Sequence, residues 1–540
     1  MEEAPLPVEG EQNILVTSAL PYVNNEPHLG NVIGSVLSAD VYARFCRLRR
    51  YNVLYVCGND EYGTTTERKA KEEKLTPPEI CEKYRKLHRE TYEWFNIRFD
   101  HFGRTSTPQH TELYCEVCPT FLADSLVEGH CPHCHKSCKR DQCEHCGKFL
   151  NARELLNPVC MICGSSSATL RNTDHLFLQV DPLKGRLQDL FKKMEISNQQ
   201  AVTDTQNILN NKMPPKCITR DLTWGVPVPV EKFKEKVMYV WFDAPIGYAS
   251  ITKCLTSKWE LWWKNPQNVE LHLFMGKDNV PFHSVLFPAY LIGTGENWTL
   301  PHSIHSTHFL LFGKDKFSKS KGVGVFGKDL KQSKKPVDAW RYYLLSVRLE
   351  GNDSTFSWDD LHAKFNNELI NNLGNLINRV LTFVAKPPGA GYDSIIPDVL
   401  EDVVLDEVDL EFVANLTLYV QEYVKAMEKA KLKDGLKATM AIAIEGNRYF
   451  QKTAVWKLFN EDRLRCSFVI KTLVGVVRVL ACLFQPFMPS CSKEVLNQLA
   501  LGANGFSLRE DDIARIEKPW DIVPSGHKIG KPNPLFKKVV

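Results

Sequence analysis

The chain has 540 residues, 43% of them hydrophobic, which is enough for several domains with buried cores. Its formal net charge of only +3 excludes nucleic-acid binding through an overall positive field, so such binding would need local basic patches. The acidic start, MEEAPLPVEGEQ, has no signal-peptide or transit-peptide pattern. The longest apolar run, residues 472–484, is interrupted by Arg478 and too short to cross a membrane. We therefore expect a cytoplasmic protein in which this run forms a buried core helix.

Residues 12–104 alternate strand-like runs with helical stretches, which is typical of β-α units on a parallel sheet. The first run, NILVTSAL, leads through a proline-bracketed turn into a helical stretch that begins near His28, Gly30 and Asn31. A helix start presents unpaired backbone N–H groups and a partial positive charge, which suit a phosphate. From these residues alone, the feature is either a nucleotide site or an ordinary loop-to-helix junction without a ligand.

Four Cys-x-x-Cys pairs interrupt this alternation: Cys115/Cys118, Cys131/Cys134, Cys143/Cys146 and Cys160/Cys163. In a chain without a signal peptide, such pairs indicate metal thiolates rather than disulfides. Four pairs predict two structural zinc sites of four thiolates each, the inner site from the second and third pairs and the outer site from the first and fourth. Four histidines of the same region rank below the thiols as ligands: His130, His133, His135 and His145.

The alternation resumes after residue 225, with YVWFDAPIGY, VELHLFMGKDNVPFHSVLFPAYLIG and SIHSTHFLLFG. Taken alone, YVWFDAPIGY predicts a buried strand and turn. The simplest interpretation is one doubly wound α/β domain that is interrupted by a metal-binding insertion. Its parts are a tail at residues 1–11, a first half at 12–108, the insertion at 109–225 and a second half at 226–325.

The stretch GKDKFSKSKGVGVFG, residues 313–327, alternates lysines with serines and glycines. It predicts either a mobile loop that closes over a polyphosphate and neutralises its charge, or a solvated turn. A literal G-x-G-x-x-G runs from Gly322 to Gly327. It neither follows a strand closely nor opens an evident helix, so we discount a dinucleotide site.

From about residue 360 helical periodicity dominates, which predicts an all-α bundle at residues 366–540. Asn371, Asn375 and Arg379 are spaced to share one helix face, either as hydrogen-bonding groups for unpaired RNA bases or as a solvated polar surface. A basic stripe along one helix is predicted by lysines that recur every four residues: Lys425, Lys429, Lys433 and Lys437. The stripe either follows RNA phosphates or keeps the face soluble.

The two motifs PHLGN and KFSKS together resemble the paired signatures of class I aminoacyl-tRNA synthetases. Further stretches, TSALPYVNNEPHLGN, GNDEYGT, ITRDLTWGVPVP, YVWFDAPIGY, GKDNVPFHS and NNLGNLINR, resemble the methionyl-tRNA synthetase family of the eukaryotic cytosolic type. The resemblance implies a Rossmann-type catalytic domain with a zinc-binding insertion, a stem-contact region at residues 326–365 and an all-α anticodon-binding domain.

The resemblance also implies an activity. Methionine would react with ATP, with Mg²⁺, to give methionyl-adenylate and pyrophosphate, and the methionyl group would pass to the terminal adenosine of tRNA(Met) for translation initiation and elongation. Relatives usually carry a longer segment where this chain has only HTE, residues 110–112, so the alternative is a catalytically impaired tRNA-binding or regulatory form. Another rival is a class I synthetase for Ile, Val, Leu or Cys. A multi-synthetase complex is a further partner if flanking domains exist.

The functional residues that the resemblance implies fall into four sets. The residues for catalysis are His28, Asn31, Lys316, Lys319 and Arg220. Those for ATP are His28, Gly30, Asn31, Asp278, Lys316, Ser318, Lys319 and Ser320. Those for methionine are Leu20, Tyr22, Asp60, Trp241, Ala244, Pro245, Tyr248 and His283. Those for the anticodon are Asn371, Asn375, Arg379 and Trp456. The chain departs from the family pattern at Phe317 and Val455, where Met and Pro are common.

Overall fold

The computed structural model describes residues 4–104, 114–115, 127–138, 143, 155–161, 163–166, 168–169, 173–222, 224–313, 315–316, 324–399, 404–502 and 507–537. The chain divides into two compact units. Unit 1 comprises Met1–Pro27, Leu54–Tyr92 and Phe99–Ser306. Unit 2 comprises His28–Val53, Glu93–Arg98 and Thr307–Val540.

A six-stranded sheet forms the centre of unit 1. In chain order its strands are β1 (Asn13–Ser18), β2 (Asn52–Asn59), β3 (His101–Arg104), β4 (Glu195–Ile196), β5 (Val269–Gly276) and β6 (Pro301–Thr307). Their order in the sheet is β4-β6-β5-β1-β2-β3. The pairs β1/β5, β2/β3 and β4/β6 are parallel, and the β1/β5 register runs from Asn13 opposite Val269 to Ser18 opposite Phe274. The direction of winding reverses between β1 and β5, so the predicted doubly wound α/β class is confirmed.

Helices and buried apolar side chains cover this sheet. The core contains Leu15, Leu54 and Leu271 from three neighbouring strands, with Trp262 and Trp263 fully buried against them. Trp263 Nε1 donates to Thr252 Oγ1 at 2.9 Å, which satisfies the indole N–H inside the core. The helices are Thr64–Glu73, Pro77–Trp94, Lys184–Phe191, Gln199–Asn210, Val240–Leu255, Glu260–Trp263 and Phe287–Gly293, with 3₁₀ turns at Asp181–Leu183, Glu231–Phe233 and Lys277–Asn279 and a π-helical turn at Phe282–Leu286.

The motif YVWFDAPIGY is helical, so its prediction as a strand is wrong. It begins at Tyr239, which precedes the helix Val240–Leu255, and this helix contains Pro245. Proline has no N–H, so the carbonyl of Trp241, four residues earlier, loses its usual helical donor. The Tyr290 hydroxyl donates to that carbonyl at 3.3 Å. A contact from a distant helix therefore compensates for the proline, and burial of the apolar side chains outweighs their local strand preference.

The insertion contributes short strands. Val127–His130 pairs antiparallel with Ser137–Cys138 and with Leu156–Cys160, and Tyr114–Cys115 pairs with Ala168–Thr169. Two further antiparallel pairs follow, Phe177–Leu178 with Lys216–Cys217 and Thr219–Arg220 with Val237–Met238.

Unit 2 is mainly helical, as predicted for the C-terminal third. Its helices are Leu29–Asn31, Leu37–Leu48, Gly327–Gln332, Val337–Ser346, Trp358–Lys364, Asn375–Ala385, Glu407–Glu428, Leu432–Lys452, Val455–Glu461, Arg463–Phe484, Pro489–Gln498 and Glu510–Ala514, with 3₁₀ turns at Arg515–Glu517 and Pro519–Asp521. π-Helical turns occur at Val32–Val36 and Phe365–Gly374. A small sheet joins Leu310–Phe312 antiparallel to Asp315–Lys316 and parallel to Ser354–Phe356.

The helix Arg463–Phe484 forms the core of unit 2. Among the described residues it is the one helix whose length and composition would allow a membrane span, and its apolar window is 100% buried inside the protein. The run at residues 472–484 is therefore part of a core helix, as predicted, although the helix has 22 residues and is longer than the run.

A buried ion-pair network ties together the separate segments of unit 2. Asp40 and Arg341 are both 0% exposed, and Arg341 Nη2 donates to Asp40 Oδ2 at 2.8 Å. Arg44 Nε donates to the same oxygen at 2.9 Å, and the Arg98 backbone N–H donates to Asp40 Oδ1 at 2.9 Å. The remaining Arg341 donors bind the carbonyls of Phe95, Pro486 and Phe487. These partners lower the pKa of Asp40 although its burial acts in the opposite direction.

The predicted lysine stripe does not lie along one helix. The helix Glu407–Glu428 ends just before Lys429, Ala430 takes a positive φ of 49°, and the next helix begins at Leu432. Lys425 therefore lies on one helix, and Lys433 and Lys437 lie on the next. The four-residue period crosses a turn by coincidence.

Candidate active site

Two loops at the carboxyl end of the unit 1 sheet carry the first predicted methionine residues. Tyr22 follows β1 and Asp60 follows β2, and a short parallel bridge pairs them. The Asp60 N–H donates to the Pro21 carbonyl at 3.0 Å, and the Val23 N–H donates to the Asp60 carbonyl at 3.3 Å. The backbone thus fixes both residues beside the point where the sheet reverses, which is where ligands bind in doubly wound sheets.

Aromatic rings gather at the start of the helix Val240–Leu255. Trp241 stacks on Phe282 with ring centroids 3.8 Å apart and planes 14° apart, and Tyr22 meets Trp241 edge-on at 6.3 Å. Ala244 packs beside them against the cluster that contains Val23. The sequence predicted Tyr22, Trp241 and Ala244 but not Phe282, although Phe282 is the chain neighbour of the predicted His283.

Tyr248 and His283 form a buried hydrogen-bonded pair whose proton positions follow from their partners. His283 Nδ1 lies 2.8 Å from the Asn279 carbonyl, which can only accept, so Nδ1 carries the ring proton. His283 Nε2 therefore accepts from the Tyr248 hydroxyl at 2.8 Å. Burial lowers the pKa of His283 to about 4, so the ring is neutral near pH 7. The Leu20 backbone also hydrogen-bonds to Tyr248, which links three predicted residues.

Two buried carboxyl groups lie in this part of unit 1. Burial raises the pKa of Asp60 well above its usual range, against one hydrogen bond from the Tyr62 N–H at 3.3 Å. Burial raises the pKa of Asp243 likewise, and the negative charge of Asp60 raises it further. Neither carboxylate has a cation or a side-chain donor among the described residues. Asp243 was not predicted as a site residue, although a carboxylate inside an apolar run was a signal for it.

In unit 2, His28 and Asn31 cap the same helix reciprocally. The Asn31 N–H donates to His28 Nδ1 at 3.3 Å, and the His28 N–H donates to Asn31 Oδ1 at 3.2 Å. Since Nδ1 accepts, the ring proton is on Nε2. Burial lowers the pKa of His28 to about 4, so this proton is a neutral donor. A Cβ at Gly30 would lie 3.1 Å from the His28 ring, so a larger residue at this position would crowd the ring.

The other residues predicted for ATP and catalysis have separate environments. Asp278 is exposed on the 3₁₀ turn that follows β5. The Arg220 guanidinium lies 3.6 Å from the centre of the Tyr239 ring. Its chain neighbour Asp221 does not pair with it but with Lys236 and, at 3.2 Å, with His175. The backbone of Lys316 is described, whereas Ser318, Lys319 and Ser320 lie outside the described residues.

Three of the predicted inner zinc ligands come together. The sulfur atoms of Cys131, Cys134 and Cys143 lie within 4.8 Å of one another, and those of Cys134 and Cys143 are 3.5 Å apart. Thiolates around one tetrahedral zinc are separated by a similar distance, so the donor set fits this ion. Within the described part of the insertion, no histidine joins the group. Cys118 and Cys146 lie outside the described residues, and only the backbone of Cys115 is described.

The turns after Cys131 and Cys160 have the same form. The N–H of His135 returns to the Cys131 carbonyl at 2.9 Å, and that of Gly164 returns to the Cys160 carbonyl at 2.8 Å. His135 has a φ of 58° and Gly164 a φ of 74°. In these two described Cys-x-x-Cys pairs, the turn is thus closed by the N–H of a left-handed residue that directly follows the second cysteine.

The predicted anticodon residues lie on the surface of unit 2. The Arg379 guanidinium lies 4.3 Å from the centre of the Phe450 ring, which is tilted against Trp456 at 6.2 Å. Asn375 approaches Asn447 at 3.5 Å, and Arg379 Nη2 approaches Gln451 at 3.4 Å. The side chains of Asn371 and Asn375 are exposed. Trp456 is 43% exposed, so it offers a ring face to solvent.

These observations define a doubly wound α/β protein whose candidate ligand site, called the recess below, lies at the carboxyl edge of its sheet. Two family models match the chain. The model described as "tRNA synthetases class I (M)" matches residues 14–113 and 108–381. The model described as "Anticodon binding domain of methionyl tRNA ligase" matches residues 399–540. The chain belongs to the methionine–tRNA ligase family of class I aminoacyl-tRNA synthetases, which confirms the predicted enzyme class and activity.

Individual relatives have the same character. The cytoplasmic methionine–tRNA ligase of Arabidopsis thaliana is 54% identical over 564 residues, which cover 99% of this chain and 70% of the relative. The cytoplasmic human enzyme is 46% identical over 563 residues, covering 99% of this chain and 61% of the relative. The Mycobacterium tuberculosis methionyl-tRNA synthetase in complex with methionyl-adenylate has the same fold, with a TM-score of 0.78, 23% identity, and coverage of 98% of this chain and 100% of that one. The matches lend no support to the alternative of an impaired or regulatory form.

Proposed function

We propose that unit 1 holds the methionine substrate, with its ammonium group on Asp60 and beside Asp243. The observation that carries this proposal is the pair of buried carboxyls without a cation among the described residues. A buried carboxylate is unfavourable unless a positive partner compensates for its lost hydration. The α-ammonium of an amino acid supplies that partner and would return both carboxyls to their ionised form.

The aromatic cluster suits the thioether side chain of methionine. The Trp241/Phe282 stack and the edge of Tyr22 offer polarisable surface, which sulfur contacts favourably. Leu20, Ala244 and the buried Pro245 add apolar surface. The neutral Tyr248–His283 pair places polar atoms at the recess without a net charge, so a charged amino-acid side chain would find no ionic partner there.

His28 and Asn31 would bind the ATP phosphates in this proposal. The His28 proton lies on Nε2 because Nδ1 caps the helix, so a neutral imidazole donates to a phosphate oxygen without acid–base exchange near pH 7. The helix start adds a partial positive charge. Asp278 would hold the ribose, and Lys316, Ser318, Lys319 and Ser320 would bind the ATP phosphates, as the family pattern implies. Arg220 would contribute to the activation step. Mg²⁺ would enter with ATP and offset phosphate charge.

The exposed surface around Trp456 would read the tRNA(Met) anticodon. Asn371, Asn375 and Arg379 offer amide and guanidinium donors on one side of unit 2, and Trp456 offers a face on which a base stacks. Trp456→Ala should lower tRNA charging while methionine-dependent adenylate formation stays unchanged. Leu464→Ala, at another exposed apolar side chain of unit 2, is the matched control and should change neither. Equal loss of both steps in Trp456→Ala would refute this role.

The cysteine pairs would hold two structural zinc ions. Cys131, Cys134 and Cys143, with Cys146, would form the inner site, and Cys115, Cys118, Cys160 and Cys163 the outer one. Bound zinc would fix the turns of the insertion at residues 109–225. In the proposed division of the chain, this insertion separates catalytic halves at 12–108 and 226–325. The stem-contact region at 326–365 and the anticodon domain at 366–540 follow. Metal analysis should find about two thiolate-bound zinc ions per chain. One ion per chain would contradict the two-site proposal.

ATP–pyrophosphate exchange is the decisive test of the methionine proposal. Exchange should occur with methionine, fall with norleucine, which lacks the sulfur atom, and be absent with N-acetylmethionine, which lacks the ammonium charge. Exchange that accepts N-acetylmethionine would refute the ammonium site, while absence of exchange with methionine would refute adenylate formation altogether. The cytoplasmic names of the relatives support a cytoplasmic location.

A further inference from the structure

A second group of metal-ligand side chains lies in unit 1, apart from the cysteines. Glu270 and His272 are on β5, two residues apart and therefore on one face of the strand, and His302 is at the start of the neighbouring strand β6. All three lie in the amino halves of these strands. The methionine recess lies at the opposite, carboxyl edge of the same sheet, so the two groups are separate.

The ligand atoms of this group converge. His272 Nε2 lies 3.4 Å from Glu270 Oε2, and His302 Nε2 lies 3.9 Å from the same oxygen. One ligand atom from each residue lies within 4.8 Å of the other two. Separations of this size are long for hydrogen bonds but ordinary for ligands that share one ion, because metal–ligand distances near 2 Å hold two ligands about 3–4 Å apart.

The surrounding hydrogen bonds orient the buried histidine for this task. His272 Nδ1 lies 2.7 Å from Ser303 Oγ, and Ser303 Oγ lies 2.9 Å from His305 Nε2. In the metal-free protein the His272 Nε2–H donates to Glu270 Oε2 at 3.4 Å, and a bound ion would take the place of this proton. The ring would then carry its proton on Nδ1 and donate it to Ser303 Oγ. Metal-binding histidines have this kind of support, in which the second ring nitrogen donates to a fixed acceptor.

Burial and access are also those of a binding site. His272 is 5% exposed, whereas the side chains of Glu270 and His302 are 38% and 41% exposed. Glu270 and His302 line a cavity of about 580 Å³, which gives an ion a path from solvent. The charged groups that face the cluster are Glu11 and Lys193 of the cavity lining and Glu195, whose charge acts on His272. The acidic groups outnumber the one lysine, which favours a cation.

We propose that Glu270, His272 and His302 bind a divalent first-row transition ion such as Zn²⁺. Two imidazoles and one carboxylate suit this class, whereas Mg²⁺ and Ca²⁺ prefer oxygen ligands alone. Three protein ligands leave a fourth position toward the cavity for water or a small anion. Since the ion joins β5 to β6 at the edge opposite the recess, its effect is on the stability of the sheet rather than on the chemistry of methionine.

The test uses the whole chain with its cysteine sites already filled with zinc. Added Co²⁺ should bind as one further ion per chain, with weak visible d–d bands and no thiolate-to-cobalt charge-transfer band. Glu270→Gln and His302→Ala should each weaken this binding by at least about 10-fold, since even outer-shell changes cost 10–100-fold in affinity. His362→Ala, at an exposed histidine of unit 2, is the control and should leave the affinity unchanged.

Each result decides the proposal. No further ion, a charge-transfer band that reveals cysteine ligands, or unchanged affinity in both variants would overturn it. Both variants replace half-buried side chains, and the thermal midpoint without added metal reports whether they fold as the parent does. Added Co²⁺ or Zn²⁺ should then raise that midpoint in the parent and in His362→Ala but not in Glu270→Gln. Methionine-dependent exchange should be equal in Glu270→Gln and in the parent, which separates this site from the proposed function.

Discussion

Asp40 in unit 2 and the pair Asp60 and Asp243 in unit 1 are buried carboxyls whose pKa values are shifted in opposite directions. In unit 2, Asp40 is surrounded by Arg44, Arg341 and a backbone donor, and its pKa is lowered. In unit 1, Asp60 and Asp243 have no cation among the described residues, and the pKa of each is raised. Burial is common to all three, so burial alone does not set the ionisation state. The difference lies in whether the described residues of the protein supply a positive charge beside the carboxylate.

The comparison separates a carboxylate that is paired within the protein from two that the proposed function assigns to the substrate. A fully paired carboxylate such as Asp40 loses stability when its partner is removed. An unpaired one already costs stability in the free protein, and a ligand recovers that cost on binding. Substitutions in the two regions should therefore have opposite effects on stability and on activity.

The largest effect is expected for Arg341→Met. It leaves Asp40 buried with one partner fewer, and breaking a buried pair in this way costs about 3–5 kcal/mol. The apparent midpoint of thermal unfolding should fall accordingly. The triple variant Asp40→Leu/Arg44→Met/Arg341→Met should recover part of the loss, because the three charges of the network are then removed together. Arg448→Met, which removes an exposed ion pair, should change the midpoint little. A large fall in that control, or none in Arg341→Met, would contradict the structural role of the network.

A smaller effect, on activity instead of stability, is expected for Asp60→Asn. Loss of a hydrogen bond to a charged group costs about 1.5–3 kcal/mol, so kcat/KM for methionine in pyrophosphate exchange should fall about 10- to 100-fold. Asp243→Asn should act in the same direction. Neither variant should lower the unfolding midpoint. Asp189→Asn, at an exposed aspartate of unit 1, is the control for both measurements. Destabilisation without loss of methionine use would assign Asp60 to the fold.

The pH dependence of stability should differ in sign between Glu61 of unit 1 and Asp40 of unit 2. Burial raises the pKa of Glu61, next to Asp60, to about 7. The contribution of Glu61 to the free energy of unfolding is complete below its unfolded-state pKa near 4.5. This contribution is lost as the pH rises from there through 7, by up to about 1.4 kcal/mol per pH unit. Asp40, whose pKa is lowered, stabilises at neutral pH and loses this contribution in acid. Midpoints of Glu61→Gln and the parent should therefore diverge between pH 4.5 and 7, with the variant less sensitive to rising pH. Parallel curves would refute the raised pKa.

The smallest effect is expected for Tyr290→Phe. It removes the hydroxyl that donates to the Trp241 carbonyl, a neutral hydrogen bond worth about 0.5–1.5 kcal/mol. In a Pro245→Ala background the helix regains its own donor, so the same change should cost less. The coupling between the two substitutions, read from unfolding midpoints, measures how far Tyr290 compensates for the proline. An equal cost in both backgrounds would refute this link.

Much of the fold was readable because its signals are local. The apolar runs of β1 and β5 predicted strands, and the helical periodicity after residue 360 predicted the bundle. The failures depend on distant partners or on chain reversals. YVWFDAPIGY is a helix because burial and the Tyr290 hydroxyl support it, and neither is visible within ten residues. The four-residue period of the lysines continues across the turn at Ala430. The prediction of one helix failed because residue spacing does not show where the chain reverses direction.

The residues of the candidate site come largely from the family resemblance, and their roles stay predictions. Motifs placed Tyr22, Asp60, Trp241 and His283 in one pocket, but no pattern shows that His28 carries its proton on Nε2. That detail needs the cap formed with Asn31. Asp243 was overlooked for a related reason, since an aspartate in an apolar run signals a site only when its partners are known to be absent.

The π-helical turn Val32–Val36 makes the number of residues between His28 and Asp40 important. Each residue of a helix advances the rotation by about 100°, and a π turn accommodates one residue more than an α turn. This extra residue sets the angle between the cap at His28 and the buried face that carries Asp40. Deleting a single residue here would hardly shorten the helix. The deletion would rotate either the His28 cap or the helix face with Asp40 away from its partners. The one extra residue of the π turn therefore sets the rotation between these two groups.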